Sequence, residues 1–161
     1  MNKFISLLFI ILTILLCSST VDNNDKINYK CLIQMKNYTG EGSYLIISLI
    51  NPDGKYDQTL YVQGDDPEWY HEITSWWRFY GKKRTNIDAI TGETKSGGER
   101  SINLISIDKS KLIDGYKLRF ETAVEDKNYF EKDLEINLGE INSETKYSGQ
   151  GFIRYVRILK N

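Results

Sequence analysis

The sequence is poor in the side chains that most often carry catalysis or bind metals. It has one histidine, His71, and two cysteines, Cys17 and Cys31, among 161 residues. Zinc sites need several Cys or His ligands, and so small a set also argues against the usual Ser-His and Cys-His forms of catalysis. We therefore expect no enzyme in its own right. Paired carboxylates, as in glycoside hydrolysis, are the one hydrolytic arrangement left open.

An excess of charge of either sign is also missing. The chain has 21 basic and 22 acidic residues, which gives a formal net charge of −1. This balance gives no general argument for binding to nucleic acid or to an anionic membrane. We expect no nucleic-acid partner.

Long apolar runs are missing except at the beginning of the chain. Residues 4–16 are almost unbroken apolar sequence, with Lys3 before them and small residues at 18–20. This pattern is typical of a secretory signal peptide, and the run is short for a membrane span. The sequence therefore predicts a signal peptide over residues 1–20, a polar spacer over 21–27, and an exported, periplasmic protein.

The two cysteines bear on different questions: whether the exported chain is lipidated, and whether it contains a disulfide. Cys17 is a possible lipidation site, but Leu16 stands where a lipoprotein signal needs a small residue. A retained N-terminal anchor is a further alternative. After cleavage only Cys31 would remain, and one cysteine cannot form an intramolecular disulfide. We expect Cys31 to be a small buried apolar residue.

Seven short segments have the alternation and the β-branched and aromatic content of strands. Turn chemistry is visible between them, at Asn51 to Gly54 and at Asp114 and Gly115. These segments predict a single domain over residues 28–161 with an all-β fold, an immunoglobulin-like β-sandwich. A barrel is the weaker alternative, because the strands are short and unevenly spaced. The predicted strands are residues 28–36, 43–50, 58–63, 101–107, 116–124, 133–138 and 151–159.

A helix interrupts the strands after Gly64. Two aspartates, at 65 and 66, and Pro67 predict its beginning, and Gly81 its end. Apolar residues then recur at helical spacing, which predicts a buried stripe. Its members are Trp69, Ile73, Trp76 and Tyr80. Trp77 points about 100° away from Trp76, so we expect it to be partly exposed.

The segment DAITGETKSGG, residues 88–98, follows a basic cluster. Its Asp88, Thr91, Gly92 and Thr94 resemble the motif D-x-x-[S/T]-G-A-T, which accepts covalent FMN from a secreted flavin transferase; Glu93 stands in place of the Ala. The resemblance implies that Thr94 carries FMN as a phosphoester, that Asp88 is the motif acid, and that Thr91 and Gly92 form a mobile, exposed turn. The alternative is a structural loop that Asp88 caps and glycines shape.

Several side chains near this segment could bind a flavin, but each also has a purely structural explanation. Lys95 and Arg84 belong to a basic cluster that could neutralise its phosphate, or could be solvated cations near a helix end. Trp77 could stack on the isoalloxazine ring, although the aromatic residues of this helix are otherwise expected in its buried stripe. His71 is expected at the surface. Glu121, Glu125 and Asp126 match no calcium loop and are expected at a solvated strand end.

A wider resemblance covers nearly the whole mature chain. Thr59, Leu60 and Tyr61 precede Trp76 and Trp77, the DAITG segment follows, and Gly115, Tyr116, Glu121, Ala123 and Glu125 complete the order. This order resembles the bacterial family of predicted periplasmic proteins called domain of unknown function 2271. In that family Thr122 is replaced by Ala, a difference that we expect to be neutral.

The resemblance implies which proteins the chain works with, but it does not imply a reaction that the chain catalyses. Family members are often encoded beside a flavin transferase and a membrane reductase-like protein, and their C-terminal half is similar to the immunoglobulin-like domain of flagellar hook-capping proteins. The first hypothesis is an exported accessory of flavin-linked electron transfer, with FMN on Thr94. The second is a cofactor-free binding module that docks on a membrane or envelope partner through exposed aromatic and basic residues.

Overall fold

The computed structural model describes residues 25–64, 66–83 and 90–161, and for residue 83 the backbone alone. The predicted signal peptide, Cys17 and most of the predicted spacer lie outside this part of the chain. The elements are β1 (Lys26–Met35), β2 (Tyr44–Ile50), β3 (Tyr56–Gln63), α1 (Thr74–Lys83), β4 (Thr91–Gly92), β5 (Arg100–Asp108), β6 (Lys117–Ala123), β7 (Tyr129–Asn137), β8 (Tyr147–Ser148) and β9 (Ile153–Lys160), with 3₁₀ helices at Pro67–Glu72, Lys109–Lys111 and Leu138–Glu140.

The strands form two sheets, so the predicted all-β sandwich is confirmed. The four-stranded sheet has the order β5-β1-β9-β8 and the five-stranded sheet the order β4-β3-β2-β6-β7. Every pairing is antiparallel except that of β3 with the two-residue strand β4. All seven predicted strands are present; β1 begins at Lys26, inside the predicted spacer.

The main core lies between the sheets and follows the alternation of the strands. In β2, Leu45, Ile47 and Leu49 point inward, while Ile46 faces the opposite side. Cys31 is fully buried in this core, as predicted, and burial raises the pKa of its thiol to about 12. Burial on this scale, at about 25 cal/mol per Å² of apolar surface, is the dominant stabilising contribution.

The outer face of the five-stranded sheet carries a second core beneath α1. Ile46 and Val62 of the sheet meet Ile73 and Trp76 of the helical segment. The Trp76 indole Nε1 donates to Thr59 Oγ1 at 2.9 Å, and its ring stacks on Tyr80 with centroids 4.7 Å apart. The molecule therefore has three layers, and the tryptophan-rich segment covers a sheet face that would otherwise be exposed.

The predicted single helix is in fact two pieces. The Asp66 side chain accepts from the backbone N–H of Glu68 and Pro67 opens the 3₁₀ turn, as the sequence indicates, but Ile73 separates this turn from α1. Because a 3₁₀ helix has three residues per turn, the buried aromatic of the first piece is Tyr70 rather than Trp69. Gly81 lies inside α1 against the Trp77 ring, so the predicted end at Gly81 is wrong.

One buried carboxylate ties the two sheets together at one end. The β6–β7 register shifts between Phe120 and Thr122, and Asp133 lies at this irregularity in β7. Its carboxylate accepts from Thr122 Oγ1 and from the backbone N–H groups of Gly151 and Ile153 at 2.6 to 2.9 Å. The bend before β9 is thereby fixed to the opposite sheet.

Candidate functional site

The segment after the undescribed residues 84–89 runs along the edge of the five-stranded sheet. The N–H of Gly64 donates to the Gly92 carbonyl at 2.5 Å, and Ser43 and Lys95 exchange two backbone hydrogen bonds. The Tyr38 hydroxyl donates to the Lys95 carbonyl at 2.8 Å. The segment predicted to be a mobile turn is thus joined by backbone hydrogen bonds to residues next to β2 and β3.

The Thr94 side chain is half-buried and packs over a glycine. An added Cβ at Gly42 would lie 2.5 Å from Thr94 Oγ1 and 2.7 Å from its Cβ, so only glycine leaves room there. At Gly92 an added Cβ would likewise overlap the Tyr61 hydroxyl. The segment thus lies close to the sheet at both motif positions, and the Thr94 hydroxyl faces the Gly42 backbone.

On the other side of this segment lies an open cavity of about 450 Å³ between the edges of the two sheets. Glu93 and Lys95, which flank Thr94 in sequence, both line it, and Arg100 lies at the beginning of β5. Clefts of ~300–1,000 Å³ are the usual size of small-molecule sites. The cavity is lined by Tyr61, Gln63, Glu93, Lys95, Arg100, Ser101, Ile102 and Asn103.

The inner wall of the cavity is polar although it lies in the interior. Gln63, Ser101 and Asn103 are 1%, 7% and 2% exposed. Gln63 Oε1, Ser101 Oγ and Asn103 Nδ2 have no hydrogen-bond partner among the described residues. Sequence reasoning missed these three. The alternation in β5 places Ser101 and Asn103 on one face with Ile105 and Ile107, and this was the available signal.

The structure brings only part of the predicted flavin site together. Thr91, Gly92, Thr94 and Lys95 lie in one continuous segment, whereas Trp77 belongs to α1 and packs against Trp76 and Tyr80. Trp77 is partly buried, as predicted. Asp88 and Arg84 lie outside the described residues. His71 is exposed, as predicted.

A second polar group lies beneath α1, where the sequence predicted a solvated strand end. Glu121 is fully buried, and its carboxyl accepts from the hydroxyls of Tyr56 and Tyr129. On the same sheet face, the Arg119 guanidinium lies 5.2 Å from the Tyr56 ring centre and 2.8 Å from Glu135. The prediction for Glu121 is therefore wrong, because the helical layer covers this end of β6.

Burial determines the protonation of Glu121. Desolvation raises the pKa of its carboxyl to about 7, against the opposing effect of the two tyrosine hydroxyls and of Arg119. Burial, followed by the nearby Glu121, also raises the pKa of both tyrosines. The Glu121 carboxyl can therefore hold a proton near neutral pH. Because it is fully buried between the two tyrosines, its main role is structural.

The described residues contain no group of three or more His, Cys, Asp or Glu placed to hold a metal ion. Within the same ranges, no helix has both the length and the apolar character needed to cross a membrane.

Comparison with known proteins gives one result. A family model described as "Predicted periplasmic protein (DUF2271)" matches residues 26–155. No curated protein and no solved structure gives a significant match. The matched range includes the sandwich up to the third residue of β9, the helical layer and the Thr94 segment.

Proposed function

The chain belongs to the DUF2271 family of predicted periplasmic proteins, and from that premise we propose that it is an exported accessory of flavin-linked electron transfer that carries FMN on Thr94. In this role a flavin transferase would load the domain, and the domain would present the flavin to a membrane reductase-like protein. The cofactor would supply the redox chemistry, while the protein binds and orients it.

The observation that carries the proposal is the position of Thr94. Its two sequence neighbours, Glu93 and Lys95, line the 450 Å³ cavity, so the motif segment forms one wall of a described cleft of small-molecule size. The residues present suit an FMN group in two respects. The cleft has a largely polar lining that includes Gln63 and Asn103, and Lys95 and Arg100 offer positive charge to a phosphate. The Glu93 carboxylate opposes this charge.

The attachment step is a phosphoryl-type substitution. The Thr94 oxygen would form a bond to the FMN phosphorus of a flavin dinucleotide while the bond to the adenylate leaving group breaks. The hydroxyl proton would pass to a base of the transferase. Since Thr94 packs over Gly42 in the free domain, the segment must move away from β2 before the transferase can reach the hydroxyl.

The experiment is an intact-mass measurement on the chain exported together with a flavin transferase from its own organism. We expect a gain equal to the mass of FMN less water, on the peptide that contains Thr94. Thr94→Val should abolish the gain, and Thr94→Ser, which keeps a hydroxyl, should retain it.

The matched control is Ser96→Ala, which removes a hydroxyl of the same segment that lies outside the motif. It should still be modified. An unmodified wild-type chain, with the transferase shown to be active on another substrate, would refute the proposal.

A second candidate function is favoured by one observation on the opposite sheet. Ile102 and Leu104 project from the edge strand β5 and are 66% and 61% exposed. Neighbouring apolar side chains on an edge strand are typical of a contact surface. They support a cofactor-free module that docks on a membrane or envelope partner.

A further inference from the structure

Three of the four edges of the described sheets are protected against pairing with another chain. On the five-stranded sheet, β4 is two residues long, β3 beside it pairs with β2 through two register shifts, and β7 carries several charged side chains and a register shift. On the other sheet, β8 is two residues long and β9 beside it carries several basic side chains. Short strands, charges and bulges are the usual means by which proteins protect a sheet edge.

The fourth edge, β5, has none of these protections. It is nine residues long, with no proline and no charged residue between Arg100 and Asp108. Its register with β1 runs from Lys26 to Gln34 without a shift. A long, regular and uncharged edge of this kind can pair with a further strand.

Alternate residues of β5 direct their backbone groups toward this edge. The Met35 N–H donates to the Glu99 carbonyl at 3.0 Å, so the residues of β5 that are hydrogen-bonded to β1 are the odd-numbered ones. The N–H and C=O groups of Ile102, Leu104 and Ser106 therefore point away from β1. They have no backbone hydrogen-bond partner among the residues that the structure describes.

One antiparallel register matches this edge to the same edge of a second copy. With Leu104 opposite Leu104 of the second copy, all nine residues of β5 overlap, and Arg100 of each copy lies opposite Asp108 of the other. Every outward-pointing residue then meets another outward-pointing residue, as antiparallel hydrogen bonding requires. A shift by two residues shortens the overlap and separates both charge pairs.

The side chains on the solvent face of β5 suit this register. Neither Arg100 nor Asp108 forms a salt bridge within the described part of the chain. Ile102 and Leu104 lie between them on the same face and are 66% and 61% exposed. In the paired strands the two Leu104 side chains are opposite each other, and each Ile102 lies diagonally across from a leucine.

We infer that the protein forms a symmetric dimer through β5, in which two four-stranded sheets join into one sheet of eight strands with Leu104 at the two-fold axis. The pairing closes, because each copy has one β5 edge and the dimer uses both. The apolar side chains of both copies then form one patch on the outer face. This inference goes beyond the proposed function and does not depend on FMN at Thr94.

The test is sedimentation equilibrium of the exported chain, produced without a flavin transferase, from about 1 µM to about 500 µM. We expect a monomer–dimer equilibrium. Arg100→Asp and Asp108→Arg should each weaken dimerisation by roughly tenfold or more, because two opposite-charge pairs become two like-charge pairs. An equimolar mixture of the two variants should associate as the wild type does, since each substituted residue then lies opposite a charge of the other sign.

The matched control is Arg154→Asp, the same change at an exposed arginine of β9, which β1 separates from β5. This variant should dimerise as the wild type does. Leu104→Pro removes an outward N–H at the two-fold axis without removing a hydrogen bond to β1, and it should abolish the dimer. Urea unfolding of each variant checks that it folds, and the charge variants test the inference even if Leu104→Pro does not fold.

Several results would overturn the inference. These are a monomer at every concentration, an assembly of more than two chains, and dimerisation that the single charge variants retain unchanged. A mixture of the two charge variants that associates no more tightly than either alone would also overturn it. The mass gain at Thr94 is a separate result: a dimer whose Thr94 gains no FMN beside an active transferase supports the inference and refutes the covalent carrier.

Discussion

At the scale of single residues, two side chains have environments that their sequence neighbours do not suggest. Thr94 lies in a polar, glycine-containing segment, yet its side chain packs over Gly42. Glu121 is followed closely by Glu125 and Asp126, yet it is fully buried between two tyrosine hydroxyls. In both cases residues outside the local segment supply the environment: Gly42, just before β2, for Thr94, and Tyr56 of β3 and Tyr129 of β7 for Glu121.

The raised pKa of Glu121 predicts a pH dependence of stability. An unfolded chain ionises this carboxyl near pH 4.5, whereas the folded chain keeps it protonated to about pH 7. The folded state therefore binds more protons in this window, and the free energy of unfolding falls as pH rises through it and levels off above pH 7. The full effect is about 3 kcal/mol.

Glu121→Gln should remove this contribution, because the amide keeps an acceptor for one tyrosine and a donor for the other but does not ionise. Urea unfolding at pH 5 and at pH 8 gives the free energy of unfolding at each pH. Its decrease from pH 5 to pH 8 should be smaller for Glu121→Gln than for the wild type. Glu144→Gln, at an exposed turn, is the control and should follow the wild type. Identical pH profiles for wild type and Glu121→Gln would contradict the prediction.

At the scale of elements, the first half of β5 has polar residues on its buried face and apolar residues on its exposed face. Near its beginning, Ile102 and Leu104 face solvent while Ser101 and Asn103 face inward. Beyond Leu104 the ordinary pattern returns, with Ile105 and Ile107 in the core. The strand thereby offers a polar wall to the cavity and an apolar surface to the outside.

If the apolar surface of β5 is a docking site, charged residues there should abolish docking without unfolding the domain. The double variant Ile102→Lys, Leu104→Lys should change the free energy of unfolding by less than about 1 kcal/mol, since both side chains are largely exposed. Its co-sedimentation with envelope membranes of its own organism should be lost. Ile113→Lys, at an isoleucine that is 56% exposed outside the strands, is the control and should co-sediment as the wild type does. Equal co-sedimentation of the double variant would exclude this face as the docking surface.

At the scale of the whole molecule, the two cores share the five-stranded sheet. Leu45 and Ile47 of β2 enter the core between the sheets, and Ile46 enters the core beneath α1. Loss of either layer would expose one face of the same strands. We therefore expect the domain to unfold as one cooperative unit.

The tryptophans make this testable, because all three lie between residues 69 and 77. Tryptophan fluorescence thus reports on the helical layer, and far-UV circular dichroism mainly on the strands. The urea transitions followed by the two signals should coincide for the wild type. An earlier fluorescence transition would mean that the helical layer unfolds separately.

Local chemistry was sufficient to predict the elements. Alternation with β-branched residues located all seven longer strands, and the Asn51 to Gly54 turn appears where predicted, with Gly54 at φ +76°. The helical pattern gave Ile73 and Trp76 as buried residues. It misassigned Trp69 because periodicity over so short a stretch does not distinguish a 3₁₀ turn from an α-helix.

Residue type and spacing were sufficient to predict an all-β domain with a tryptophan-bearing helical segment, its family, and the order of the Thr94 motif. The burial of one face of β5, the covering of Glu121 by α1, and the meeting of Gln63, Ser101 and Asn103 at one cavity became visible only in the folded chain. Each of these depends on which strands become neighbours. That choice is made by the burial of apolar surface summed over the whole chain, and no local pattern records it.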